Sequence, residues 1–166
     1  MAMMIRVKSV RRWIGWVAVS LGAALSAGCG GDSSSPTTPE DETIRIGLLV
    51  PVTGSWARGL EWNRSAALAI DEINQSGGVL GQQLEIVIAN TETLPEIAVS
   101  GARDLVDAGV VAIVGPGTSG ATISVATQVT IPAGIALISP SATSPAISTI
   151  DDDGLVWRTA ASDVFQ

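Results

Sequence analysis

Two short stretches carry side chains able to hold a small polar molecule. "VGPGTSGAT" (114–122) brings a Gly-Pro-Gly turn to the start of a helical pattern, and "ISPSATSP" (138–145) puts small polar residues and two prolines after an apolar run. In the first, Gly117 and the backbone amides, with the Thr118 and Ser119 hydroxyls, could meet an anion at the positive end of a helix. Helix N-capping by Thr118 or Ser119, with no ligand, uses the same residues. A phosphate loop is disfavoured, because the Gly-Lys-Ser/Thr ending of that motif is missing. The second stretch presents hydroxyls and carbonyls on a stiffened loop, or is a simple turn.

Composition narrows the chemistry. The 166 residues contain no histidine and a single cysteine, which excludes a His-based triad, a zinc site of His or Cys clusters and an internal disulfide. Net charge is −7, but all four charged residues before Cys29 (Arg6, Lys8, Arg11 and Arg12) are basic. The rest holds five basic residues against all sixteen acids, a balance of −11, so a nucleic-acid partner is not expected. "DDDG" (151–154) is expected to be a solvated turn rather than a metal site, and no cofactor or metal is implied.

The elements that must position the two loops follow from hydrophobic period. "TIRIGLLV" reads as a strand stopped by Pro51. A helical stretch within residues 57–78 follows, with Ala66, Ile70 and Ile73 on one face and Arg64, Asp71, Glu72 and Gln75 turned outward. "QLEIVIAN" is a strand and "LPEIAVSGARDLVDAG" a helix with Pro95 in its first turn. "VVAIVG", "GIALIS" and "LVWRTA" are further strands, "TSGATISVATQVT" a helix, and "SDVFQ" the first turn of another. Strands alternating with helices, several apolar on both faces, predict an α/β fold: a parallel sheet with helices on both faces. Ligands bind such sheets outside the carboxyl ends of the strands, an edge that here comprises "PVTGSWARG", "NTETLP", "GPGTSGAT" and "SPSATSP".

Residues 1–28 have a basic start, fifteen largely apolar positions at 13–27 and a small-residue end. That is the layout of an export signal, too short for the ~20 residues of a membrane span. "LSAGC" resembles the lipobox of bacterial lipoproteins, with Ser26 where leucine is usual. The resemblance implies cleavage before Cys29 and acylation of its thiol, which would anchor the chain at the periplasmic face of a bacterial membrane; two acyl chains suffice where one binds marginally. Residues 29–42, rich in Gly, Ser, Thr, Pro and acids, read as a flexible tether.

From Thr43 onward, the order "IRIGLLVPVTG", "NRSAALAIDEINQSGGVLGQQLEIVIAN", "VVAIVGPGTSGAT", "IALISPSATSP" and "VWRTAASD" resembles the branched-chain amino-acid binding proteins. These are periplasmic solute receptors of ABC importers, with the type I binding fold. The resemblance implies that residues 43–166 form the N-terminal lobe only, without the second lobe that closes the cleft, and that an edge of its sheet is left open. It implies a ligand that is an amino acid or amide-like solute, a permease partner, and no catalysis. By motif position Ser119 would meet the carboxylate, and Thr143 with Ser141 and Ala142 the ammonium. "GSWARG" departs from the family's usual run: Trp56 either lines the cleft or covers the loop, and Arg58 would favour a carboxylate-rich solute. A ligand-sensing module of the same fold is the alternative reading. Cells fed labelled fatty acid should incorporate label into the wild-type chain and not into Cys29→Ala; equal labelling of both would contradict the lipid reading.

Overall fold

The computed structural model describes residues 43–165. The predicted leader, Cys29 and the tether lie outside them. Five strands, β1 (Ile44–Val50), β2 (Leu84–Asn90), β3 (Ala112–Val114), β4 (Ala136–Ser139) and β5 (Val156–Arg158), form one sheet in the order β2-β1-β3-β4-β5. Every pairing is parallel, with Gly47 opposite Ile113, Ile113 opposite Leu137 and Leu137 opposite Val156. Three helices connect the first four strands: α1 (Gly59–Gln75), α2 (Pro95–Asp107) and α3 (Ser119–Val125).

From β1 the chain moves one way to β2, then crosses back over β1 to β3 and on to β4. Right-handed crossovers therefore put α1 on one face and α2 with α3 on the other. The core lies on the second side. Leu49, Ile113 and Leu137 are sealed there against Ala98, Ala102 and Leu105 of α2 and Ala121 and Val125 of α3. Gly47 lets α2 approach closely, since a Cβ there would stand 3.0 Å from Leu105 Cδ1 and 3.1 Å from Ile113 Cγ1.

The other face is thinly covered. Of the seventeen residues of α1 only Gly59 is buried, and the helix packs mainly on β1 and β2. Ala66 and Ile70 are half-buried as their spacing predicts, but Ile73 is exposed. Beside α1 an open groove of about 290 Å³ is lined by Leu48, Trp62, Ser65, Ala66, Val114 and Pro140. At the far end of this face Trp157 stands 61% exposed on β5, an edge strand of the sheet.

Two elements differ from their sequence reading. The helix predicted to end near Thr130 continues through a π turn (Ala126–Thr130) and a last turn, α4 (Ile131–Ala133), that contains Pro132. Proline has no N–H to give the carbonyl four residues back and its ring crowds that carbonyl, so a wider turn just before it relieves the clash. Gly134, at φ 68°, then ends the helix in the left-handed conformation that glycine adopts without strain. "SDVFQ" forms a 3₁₀ turn at Asp163–Phe165. In the acidic tetrad Asp152 folds back on its own turn, its carboxylate accepting from Gly154 N at 2.9 Å and Val156 N at 3.0 Å.

Truncating Ile113 to alanine removes three buried carbons between sheet and helices. It should destabilise the chain by about 2–5 kcal/mol in urea unfolding, against ~0.5 kcal/mol or less for the exposed Val111→Ala.

Candidate functional site

Strand order reverses between β1 and β3, which opens a crevice at the carboxyl ends of the strands. Three loops meet there: 51–58 after β1, 115–118 after β3 and 140–144 after β4.

The loop after β3 starts with Gly115 at φ 99°. A Cβ there would run into the Leu49 carbonyl, so the close approach and the backbone conformation both require glycine. A cis Gly115–Pro116 peptide follows, then Gly117 and the start of α3. Thr118 holds the N-cap position, but its side chain makes no capping hydrogen bond. Ser119 does not cap the helix either. Its Oγ reaches across to the loop after β4 and accepts from Thr143 N at 3.2 Å and Ser144 N at 3.1 Å. The capping alternative is thus replaced by a link between loops.

The link is reciprocated. Ser141 donates its hydroxyl to Gly117 O at 2.9 Å. Deeper in, Ser139 Oγ donates to Pro116 O at 2.6 Å and accepts from Ala142 N at 3.2 Å. Thr122 adds a hydroxyl on the same side, 2.9 Å from Thr118 O and 3.2 Å from Pro116 O. Arg158 of β5 donates from Nη1 to Ser144 O at 2.7 Å, holding the far end of the second loop.

These bonds decide what each group still offers. Ser119 Oγ has both lone pairs occupied by amides, which leaves its proton to donate. Ser141 has its proton occupied and can only accept. The Thr143 and Ser144 amides are engaged with Ser119, and the Ala142 amide with Ser139. From this turn a ligand can therefore meet the Thr143 hydroxyl and carbonyl oxygens, but not these amides. The first amides of α3 have no carbonyl within the helix to meet, because no turn precedes them.

The third loop supplies an aromatic wall. Trp56 and Trp62 meet edge to face, ring centroids 5.4 Å apart at 84°. Both rings close on Gly117, where a Cβ would strike Trp62 and stand 2.7 Å from Trp56 Cζ3 and 2.9 Å from Ser141 Oγ. Trp56 is thus packed beside the hydroxyl cluster. Arg58 is exposed at the N-cap of α1, its backbone N–H held by Pro51 O at 3.0 Å, and no described contact ties its guanidinium to the hydroxyls.

Residues that the motifs did not single out hold this wall. Asn90 Oδ1 accepts from Val52 N at 2.9 Å, Thr53 N at 3.2 Å and Glu92 N at 3.1 Å, and Thr93 Oγ1 accepts from Trp56 N at 3.2 Å. Glu92 and Thr93 both adopt left-handed backbone, at φ 49° and 63°, a cost of about 1–3 kcal/mol each. An asparagine ending a strand before Thr-Glu-Thr is the available signal for such a turn.

A parallel sheet with a neutral, hydroxyl-lined crevice at its strand reversal defines a binding fold of the doubly wound class. Residues 43–163 match the family model described as periplasmic binding protein, and the chain belongs to that family. A leucine-, isoleucine-, valine-, threonine- and alanine-binding protein of Pseudomonas aeruginosa is 41% identical over 126 residues, 75% of this chain and 33% of the relative. A chemotactic signal transduction substrate-binding protein of Halobacterium salinarum is 33% identical over 132 residues, 75% of this chain and 32% of the relative. Among solved structures, the branched-chain amino acid transporter substrate binding protein LivJ of Streptococcus pneumoniae, in complex with isoleucine, superposes with a TM-score of 0.68. It is 37% identical and aligns over 74% of this chain and 35% of its own. The chain spans about a third of the length of these relatives.

Gly117→Ala should force the two tryptophans apart. Near-UV circular dichroism from the ring pair should fall, with a stability loss of about 1–3 kcal/mol; an unchanged spectrum would show that the rings are not in contact.

Proposed function

We propose that this chain binds the zwitterionic head of an amino acid, as the N-terminal lobe of a solute-binding protein serving an ABC importer. The observation that carries the reading is the hydrogen-bond state of Ser119: with Thr143 N and Ser144 N on its oxygen, only its proton remains to be given. A donor hydroxyl at the start of α3, beside amides with no helical acceptor and at the helix's positive end, suits a carboxylate. Ser141, fixed as an acceptor, and Thr143 suit an ammonium group. A neutral site of hydroxyls and backbone dipoles binds a zwitterion without burying an uncompensated charge. The tryptophans beside Gly117 give the solute's side chain an apolar neighbour.

In this reading Ser119, Thr143, Ser141 and the Ala142 carbonyl hold the head group, with Gly117 and Thr118 shaping the loop and Trp56 the wall. Arg58 acts from the rim, where it favours solutes with an added carboxylate. Residues 1–28 direct export, Cys29 carries lipid and residues 30–42 tether the lobe at the membrane, where a permease is the partner. The name of the Halobacterium relative keeps a second reading open, in which the same site serves a chemotactic sensor. Co-purification from membranes would separate the two, with importer subunits in one case and signalling proteins in the other.

The described residues meet a solute from one side, so weak binding is expected of this chain. A thermal-shift panel of amino acids at up to tens of millimolar should raise Tm with an aliphatic solute. Each tenfold excess over Kd should add about 1.4 kcal/mol. Ser119→Ala and Thr143→Ala should abolish the response. No shift with any amino acid, or an undiminished shift in both variants, would contradict the assignment.

A further inference from the structure

We propose that Ser139 is a positioning residue: its buried hydroxyl sets the register of the loops after β3 and β4, and with it the solute affinity of the hydroxyls they carry. The proposal rests on the amino-acid-binding reading for its affinity arm only.

The three links between the loops are not equivalent. The Ser119–Thr143/Ser144 and Ser141–Gly117 bonds are only part-buried. Water competes for them, and a bound solute must share or replace their partners. Ser139 has no exposed surface, and its bonds to Pro116 O and Ala142 N are both buried. In surroundings shielded from water such bonds are stronger and costlier to break. Ser139 is also the last residue of β4, so its Cα is fixed by pairing with Arg158. The hydroxyl thus refers both loops to the sheet. When solute rearranges the rim bonds, this one keeps Ser119 and Thr143 opposite each other. Thr122 Oγ1, 3.4 Å from Ser139 Oγ, backs it from α3.

The test compares wild type, Ser139→Ala and Ser139→Cys with Leu105→Ala, a core change in α2 beside Gly47 of β1. Each full chain is measured by amide hydrogen exchange without solute and by leucine titration. Exchange is read at Thr143 and Ser144, whose amides bond to Ser119 and not to Ser139. Both Ser139 variants should speed that exchange, about tenfold or more for alanine, and lower leucine affinity by a similar factor. Leu105→Ala should change neither beyond twofold, although it melts earlier than wild type. The cysteine variant is slightly larger and keeps a weaker donor, and it decides the matter if alanine does not fold. Exchange at Thr143 and Ser144 that stays as in wild type, or rises equally in Leu105→Ala, overturns the proposal. If wild type binds no leucine or other amino acid, the binding reading fails while the exchange result still decides the role of Ser139.

Discussion

The structure depends on a mutual constraint between two loops that lie about twenty residues apart in sequence. Hydroxyl groups join them in both directions: Ser119 accepts from the second loop, while Ser141 and Ser139 donate to the first. At Ser119 and Ser141 each link consumes one half of the hydroxyl's capacity and leaves the other half with a defined sign. In the proposed reading, that is how a site without a charged side chain among its hydroxyls distinguishes the two ends of a zwitterion. Free serines would rotate to suit any partner; serines held in this way cannot.

The sheet makes that constraint possible. β1, β3 and β4 lie side by side in register, so the loops after them leave at the same level and adjacent positions. The apolar row of Leu49, Ile113 and Leu137 packs the sheet against α2 and α3 beneath those strand ends. On the opposite face α1 is barely buried, yet it delivers Trp62 to Gly117, and the loop before it delivers Trp56. The strained Glu92–Thr93 turn and the Asn90 side-chain oxygen hold that loop down. Local backbone cost is thus set against the placement of one aromatic wall, a common arrangement at binding sites.

Much of this was legible in the residues. Every strand announces itself by β-branched and leucine runs, and the strand–helix alternation leads to the parallel sheet. The two hydroxyl-rich loops stand out at strand ends, but the choice of Ser119, Ser141 and Thr143 within them comes from the resemblance to the branched-chain amino-acid binding proteins. Which partners they take was not legible, since the Ser119 acceptor bonds join residues 24 and 25 positions apart. Ser139 reads simply as the last residue of an apolar strand, and only its burial reveals its bonds. The "NTETLP" loop is expected at this edge, but the bonds of Asn90 are not legible for the same reason, and Trp62 escaped because its role arises across the sheet. The helix running on through Pro132 shows a local rule relaxed by a π turn that period alone does not reveal.

The central claim is that Ser119 and Thr143 receive an amino acid at the strand reversal. Its most direct measurement is an amide NMR titration of the isotopically labelled chain with leucine. The claim predicts saturable shifts concentrated at residues 117–121 and 141–144, with Glu72 and Val111 unmoved. Shifts confined to other parts of the chain, or none at leucine concentrations that saturate a millimolar site, would contradict it.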